Sequence, residues 1–393
     1  MLKQVFDKEQ LSKALTSSDV WQWGLLSVYG DVETAVNHTV QYWKIHNIAL
    51  SSLETRTVKS KSVFIPEKME DDFAIKLLDR FIRRIYKVRQ SDRNRIVRQL
   101  ITLLKDSGNY HVLRLDIKDC YETIKFEYLI NKFEDELILS PECIKLLNGI
   151  HIDLRCNHGM HGLPRGLSIS PTLAELYLET LDKKMASHPD VVYSARYVDD
   201  IIVLTPAGKE SGVQTYIEAL MDKMGLSLNK NTNKYYSAPS KEAYFDYLGY
   251  SIKVAPKKNK PNEVTVEISK SKLNKIKSRI AISFCDHKKQ NNIPLLKRRL
   301  EYLCMLKRVR KSKNGDLLAG LSHNYQYVTD AFECLKSVDG FLCQQLANPR
   351  FGLNQQEQEK IKKISIYGNT RKKNIGKFSK KQTAQIMRVW QNA

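Results

Sequence analysis

The chain lacks any apolar run long enough to cross a bilayer as a helix, which takes about 20 consecutive apolar residues, so no transmembrane helix is expected. Met1-Leu2-Lys3-Gln4 is not followed by the apolar core of a signal peptide. Paired cysteines are also missing. Seven cysteines are scattered singly through 393 residues, with no Cys-x-x-Cys doublet. That pattern excludes a zinc ribbon or a disulfide framework and suits a reducing cytosol, so the expected location is cytoplasmic. His151, Cys156, His158 and His161 stand near one another, but no second ligand doublet accompanies them and the spacing matches no zinc pattern. Internal repeats and long low-complexity tracts are absent too.

Acidic residues are scarce in one region only. Residues 251–393 hold 31 Lys and Arg against 10 Asp and Glu, which accounts for the whole formal net charge of +21. Residues 1–250 balance at 33 of each sign. A basic excess concentrated in one third of a chain is the electrostatic footprint of a polyanion partner.

What is present centres on Tyr193-Ser194-Ala195-Arg196-Tyr197-Val198-Asp199-Asp200-Ile201-Ile202-Val203-Leu204. Val191 to Tyr197 and Ile201 to Leu204 are rich in β-branched and aromatic residues, as half-buried strands are. They are too close together to form anything but a hairpin, with Asp199 and Asp200 at or beside its turn. Two adjacent carboxylates repel each other, and a divalent cation would remove that repulsion. An Asp pair at a turn is common in itself. A second strand pattern upstream, His111 to Tyr121, also ends in a carboxylate, Asp116. Asp116, Asp199 and Asp200 together make the carboxylate set of a two-metal phosphoryl-transfer site.

With these residues in place, the sequence resembles the reverse transcriptases. Tyr197-Val198-Asp199-Asp200 is similar to their catalytic Tyr-x-Asp-Asp box, and Leu115-Asp116-Ile117-Lys118-Asp119-Cys120-Tyr121 to their first palm motif. Gly162-Leu163-Pro164-Arg165-Gly166 followed by Ser170-Pro171 resembles the Gly-x-Pro-Gln-Gly loop that positions template and nucleotide, with Arg165 in place of Gln. Gly225-Leu226-Ser227-Leu228-Asn229-Lys230 resembles the fourth palm motif, and Phe245 to Tyr250 the hairpin that grips the primer strand. The resemblance covers roughly residues 60–310 and is specific at the three palm motifs.

The resemblance implies an α+β right-hand polymerase with fingers, a palm built on an antiparallel sheet and a helical thumb, followed by a basic helical C-terminal region. The expected layout is 1–110 for an N-terminal helical layer and fingers, 111–255 for the palm with a helical finger insertion near 131–160, 262–315 for the thumb and 316–393 for the extension. Trp21, Trp23 and Trp43 suggest the small helical layer. Ser62 to Pro66 predicts an irregular strand, and Phe81, Ile82, Ile85 and Tyr86 fall at helical spacing. Ser91 or Asp92 should cap a helix with Ile96, Val97, Leu100, Ile101 and Leu104 on one face, stopped near Gly108. Ser170 is expected as cap and Pro171 as first residue of a long helix. Thumb helices are expected at Leu273, Ile276 and Ile280, then at Leu295, Leu296, Leu300 and Leu303.

Residue roles follow from the same resemblance. Asp116, the backbone at Ile117, Asp199 and Asp200 would hold two Mg²⁺ ions, or Mn²⁺ in their place. Tyr121 would lie under the sugar and exclude a 2′-hydroxyl. Arg165 would stack on the base or touch phosphate, and Gly166 would let the backbone approach the nucleotide. Arg93 and Arg95, with Arg98, would take the triphosphate at a helix N-terminus. Lys230 or Lys234 would protonate pyrophosphate. Tyr247, Leu248, Gly249, Lys272, Lys275, Arg308 and Arg310 would touch nucleic acid, with Lys311 and Lys313 in the same basic run. Tyr325, Tyr327, Phe341, Phe351 and Tyr367 interleave the C-terminal charges, a mixture that suits stacked RNA.

Arg165 steers the match towards the bacterial defence-associated, abortive-infection-like group. Within it the layout most resembles the smaller enzyme of type-3 defence systems that encode two reverse transcriptases. The Val-Thr-Gly stretch of retron enzymes is absent, and Val328-Thr329-Asp330 is its nearest approach. The partners implied are a template RNA, a structured noncoding RNA by preference, a DNA product and deoxynucleoside triphosphates, without a membrane. A homo-oligomer or a complex with a second reverse transcriptase accords with the group. Competing readings are an untemplated or protein-primed DNA polymerase, an RNA-dependent RNA polymerase, against which Tyr121 counts, and a non-enzymatic RNA-binding module.

Overall fold

The computed structural model describes residues 3–58, 60–258, 260–310 and 317–390. Lys311 and Lys313, and the side chain of Arg310, lie outside that description. The chain divides into two compact units, Met1–Asp92 with His111–Ser237, and Arg93–Tyr110 with Ala238–Ala393.

The first unit is organised round a buried helix, Met69–Ile85, whose Phe73, Ile75, Leu77, Leu78, Phe81 and Ile82 are almost fully shielded. Its acidic first turn suits the positive end of the helix dipole. The N-terminal tryptophans lock onto that turn. Trp23 Nε1 donates to Asp72 Oδ2 at 2.9 Å, and Trp43 Nε1 to the Glu70 carbonyl at 3.0 Å. Strands β1 (Leu53–Val58) and β2 (Lys61–Pro66) form an antiparallel hairpin. A four-stranded sheet follows, in the order β4-β5-β3-β6, from β3 (Tyr110–Asp116), β4 (Tyr193–Tyr197), β5 (Asp200–Pro206) and β6 (Tyr236–Pro239). Helices Phe126–Glu136 and Pro141–His158 follow β3 in the chain, the second capped by the Ser140 side chain. His158 is accounted for there by the Leu53 carbonyl and the Thr55 hydroxyl.

The long helix after the Gly/Pro loop runs Ser170–Ala186, with Ile169 as its cap. Ser170, expected as cap, falls in the first turn and donates its hydroxyl to the Pro164 carbonyl at 2.5 Å, closing the loop on itself. Spacing predicts Leu173, Leu176, Tyr177, Thr180 and Leu181 on one face; the four large side chains are buried, whereas Thr180 is exposed. This helix, Met69–Ile85, Phe126–Glu136 and the inner faces of β3 and β5 share one apolar core.

The second unit begins with helix Arg93–Leu104, buried through Ile96, Val97, Leu100 and Leu104. Strands β7 (Tyr244–Tyr247), β8 (Tyr250–Ala255) and β9 (Glu263–Ile268) form an antiparallel sheet. Asn262 ties the two together, because its side-chain amide donates to the Leu104 and Asp106 carbonyls and its backbone amide to Lys105. Helices Lys270–Gln290 and Ile293–Cys304 stand where apolar periodicity places them. A small sheet, β11-β10-β12, is built from β10 (Leu306–Arg310), β11 (Leu317–Ala319) and β12 (Ile375–Gly376). Of the C-terminal aromatics expected as stacking platforms, two are packing residues. Tyr325 and Phe351 are buried, and Tyr327, Phe341 and Tyr367 are half-buried. No described helix is long and apolar enough to cross a membrane.

Candidate active site

Strand β3 delivers Asp116 to a buried position, 2% exposed. Asn229 Nδ2 donates to Asp116 Oδ2 at 3.0 Å, and Lys234 Nζ lies 2.5 Å from Oδ1. Just past Asp116 the backbone is gripped on both sides. The Ile117 amide donates to the Asp199 carbonyl at 3.0 Å, and the Lys118 amide to the Ser227 carbonyl at 2.9 Å. The strand ending at Asp116, the Asp199-Asp200 hairpin and the Gly225 to Lys230 stretch therefore meet at one point of the first unit.

The hairpin is tighter than its sequence suggests. Tyr197 pairs directly with Asp200, so the turn is only Val198-Asp199, and Asp200 is already the first residue of β5. Val198 takes φ 59°, a left-handed conformation rare for a β-branched residue. Its carbonyl accepts from Arg196 Nη1 at 2.9 Å. Arg196 is itself buried beneath the turn and forks onto Glu175 and Asp182 of helix Ser170–Ala186.

The electrostatics are those of crowded carboxylates. Burial raises the pKa of Asp200 and the charge of Asp199 raises it further, with Asp116 contributing, while Lys234 and Arg114 pull it down. Burial depresses Lys234, but its hydrogen bond to Asp116 and the charges of Asp116, Asp200 and Asp199 outweigh that and leave it raised. One ammonium thus faces three carboxylates. Among the described residues, no three His, Cys, Asp and Glu side chains close into a metal-binding cage. An open set of hard oxygen donors with excess negative charge fits Mg²⁺, which binds through one or two carboxylates and completes its shell from substrate phosphates.

Beside the carboxylates, Tyr121 is half-buried, with the Arg165 guanidinium 5.1 Å from its ring centroid. Arg165 is held bidentately by Glu122, at 2.7 and 3.0 Å. Lys61, the first residue of β2, reaches Asp119 at 2.7 Å and Glu122 at 3.3 Å. Gly166 has φ 104°, and a Cβ there would stand 2.5 Å from the Phe64 carbonyl. The close approach demanding a glycine is therefore to β2, through the Phe64 amide's bond to the Arg165 carbonyl.

Other expected residues lie elsewhere. Lys230 is a surface side chain 3.9 Å from Glu218, so Lys234 is the lysine that reaches the carboxylates. Arg93 belongs to the second unit. Its Nε and Nη2 donate to the Leu248 carbonyl at 3.0 and 2.6 Å and its Nη1 to Asn324 at 2.6 Å, between the rings of Tyr250 and Tyr325. Those donors are committed within its own unit rather than offered to phosphate. Arg95 is exposed on the same helix. Leu248 and Gly249 form the two-residue β7–β8 turn, both at positive φ, next to a buried Tyr247. The Lys272 side chain lies against Gly249, Lys275 is half-buried and Arg308 is exposed, all within that second unit.

Sequence reasoning missed Lys61, Asn229 and the triad Arg196, Glu175 and Asp182. A signal for the triad existed, because Glu175 and Asp182 are seven apart on one helical face and Arg196 interrupts an apolar strand.

Residues 61–252 match the family model described as Reverse transcriptase (RNA-dependent DNA polymerase). The Retron Ec73 reverse transcriptase of Escherichia coli is 27% identical over 152 residues, 36% of this chain and 48% of that protein. The chain thus matches only about half the length of that curated relative. It comes from the very group that the missing Val-Thr-Gly stretch had counted against. Apo telomerase from Candida tropicalis, truncated from its C-terminal domain, aligns with a TM-score of 0.37 at 13% identity, over 56% of this chain and 59% of that one. The fold class is α+β, that of the right-hand polymerases.

Proposed function

We propose that this chain is an RNA-directed DNA polymerase. The observation that carries the reading is the junction of Ile117 with Asp199, which brings Asp116 and the Val198-Asp199 turn together beside Lys234. Asp116, Asp199 and Asp200, with the backbone at Ile117, would hold two Mg²⁺ ions, whose chemistry is to acidify a primer 3′-hydroxyl and neutralise the departing pyrophosphate.

The protein's own groups supply the rest. Tyr121, backed by Arg165, forms the floor under the sugar and disfavours a 2′-hydroxyl. Lys61 and Arg165 exchange Asp119 and Glu122 for the phosphates of an incoming deoxynucleoside triphosphate. The raised pKa of Lys234 keeps Nζ protonated, so it balances charge at Asp116 and on the leaving group. The 31 basic residues of 251–393 supply the attraction for an RNA template and its DNA product.

We extend the reading to a bacterial antiphage system in which a structured noncoding RNA is the template. Arg165 at the loop's usual Gln position and the bacterial retron relative support this. A homo-oligomer or a second reverse transcriptase is the protein partner that this group suggests. Sequencing of the RNA and DNA that co-purify with wild type and with D199N tests the proposal. One defined RNA in both samples, with complementary DNA only in wild type, is the expected outcome. DNA without matching RNA would replace it with untemplated or protein-primed synthesis. RNA in both samples and DNA in neither would leave a binding module.

A further inference from the structure

Arg196 lies beneath the Val198-Asp199 turn with its side chain 1% exposed. Nε donates to Asp182 Oδ1 at 2.9 Å, and Nη2 to Asp182 Oδ2 and Glu175 Oε2 at 2.7 Å each. Nη1 donates to Glu175 Oε1 at 3.4 Å and to the Val198 carbonyl at 2.9 Å. A guanidinium has five N–H groups, and these five bonds engage them all. Two carboxylates on one helix therefore fix the plane of the fork, and one arm of the fork fixes a carbonyl of the turn.

That carbonyl belongs to the residue with the left-handed φ of 59°. The next carbonyl, of Asp199, is fixed from the opposite side by the Ile117 amide. Both peptides flanking the Asp199 Cα are thereby anchored, one to helix Ser170–Ala186 through Arg196 and one to the end of β3. A two-residue turn with a β-branched residue at positive φ would relax without such anchors, because strained conformations persist only where their surroundings over-determine them.

We infer that Arg196 is a positioning residue that holds the strained Val198-Asp199 turn so that Asp199 and Asp200 present their carboxylates jointly with Asp116 to divalent cations. It touches neither metal nor substrate in this role. The inference rests on the reading of those three aspartates as metal ligands. Glu175 and Asp182 do not bind the cation; they aim the fork. Lysine cannot replace the arginine, because a single ammonium cannot make both bidentate contacts and reach the Val198 carbonyl.

The test uses the full chain and Mn²⁺ alone, with no template or nucleotide, titrated by electron paramagnetic resonance. R196K should remain folded by circular dichroism and bind Mn²⁺ at least about tenfold more weakly, a change of about 1.4 kcal/mol. V198G, in which glycine adopts the turn without strain, supplies the second background whatever its own affinity, and R196K in that background should lose far less affinity, relative to V198G, than R196K loses relative to wild type. A merely structural arginine would cost the same in both backgrounds. Equal Mn²⁺ affinity in wild type and R196K, or the same loss with and without V198G, overturns the inference. If R196K does not fold, E175Q takes its place in the cycle, with the same expected coupling and the same overturning result. Primer extension is scored separately. Wild type without polymerase activity but with the Mn²⁺ coupling intact would sink the proposed function and spare this assignment.

Discussion

Lys234 Nζ lies 2.5 Å from Asp116 Oδ1, whereas Lys230, four residues earlier, extends to within 3.9 Å of Glu218 at the surface. The residue that neutralises the buried carboxylate is therefore the later lysine. K234A should lower kcat for nucleotide addition by on the order of 100-fold, as loss of a positioned charge or acid does. K230A should stay within about twofold of wild type, as surface changes usually do. Single-nucleotide extension kinetics on both variants check this, and equal losses would argue against the assignment.

The Tyr121 ring and the Arg165 guanidinium are 5.1 Å apart, with Glu122 fixing the arginine. Removing the ring should admit ribonucleotides. Y121A is expected to narrow the preference for deoxynucleotides, as a ratio of kcat/KM, by about tenfold or more, and R165Q by a smaller factor because the ring stays but loses its support. Unchanged discrimination in Y121A would remove the tyrosine from the sugar site.

Arg93 joins the β7–β8 turn to Asn324 and stacks between Tyr250 and Tyr325. R93A should cost roughly 2–4 kcal/mol of stability in the second unit, from stranded carbonyls and lost cation–π contacts. R95A, an exposed change, should cost under about 0.5 kcal/mol. Thermal unfolding of both variants is the check. A raised KM for deoxynucleotides in R93A without a lower Tm would return Arg93 to the triphosphate.

Lys307 Nζ sits 3.7 Å from the Tyr302 ring centroid, and burial pulls its pKa down to about 8 from 10.5. Below that value both the folded and unfolded chains are protonated there, and the folded state carries the full cost of the buried charge. Between about 8 and 10.5 the unfolded chain alone holds the proton, so the cost shrinks and this residue's contribution to stability rises with pH. K307M should stabilise the protein at pH 7 by roughly 1–3 kcal/mol and flatten that rise. Denaturant unfolding of both proteins from pH 7 to 10 measures it.

The hairpin and the strand ending at Asp116 were legible because period-two apolar patterns and a carboxylate at a strand end are local signals. Lys234 was not separable from Lys230, because a long flexible side chain reaches by conformation rather than by spacing. Arg93 was misjudged for a similar reason. A helix N-terminus points to phosphate in general, but its actual acceptors lie 155 and 231 residues away in sequence. Gly166 was expected to let the backbone approach the nucleotide; the neighbour that a Cβ would meet is the β2 backbone, which no local pattern names. Tyr325 and Phe351 were grouped with the other C-terminal aromatics because composition cannot distinguish a packed ring from an offered one.

The division of the chain has a temporal consequence. Helix Arg93–Leu104 is synthesised long before the asparagine that satisfies its last turn, since Leu104 and Asn262 are 158 residues apart. At ordinary ribosomal speeds that gap lasts roughly 8 to 30 s, during which an amphipathic helix waits for the asparagine that closes its last turn. The second unit cannot mature domain by domain behind the first. A fragment ending near residue 237 would carry all three aspartates and also helix Arg93–Leu104, cut off from residues 238–393 of its own unit. Such a fragment would keep helix Arg93–Leu104 without the Asn262 amide that closes its last turn, so the three carboxylates do not mark out a piece of chain that can simply be cut free.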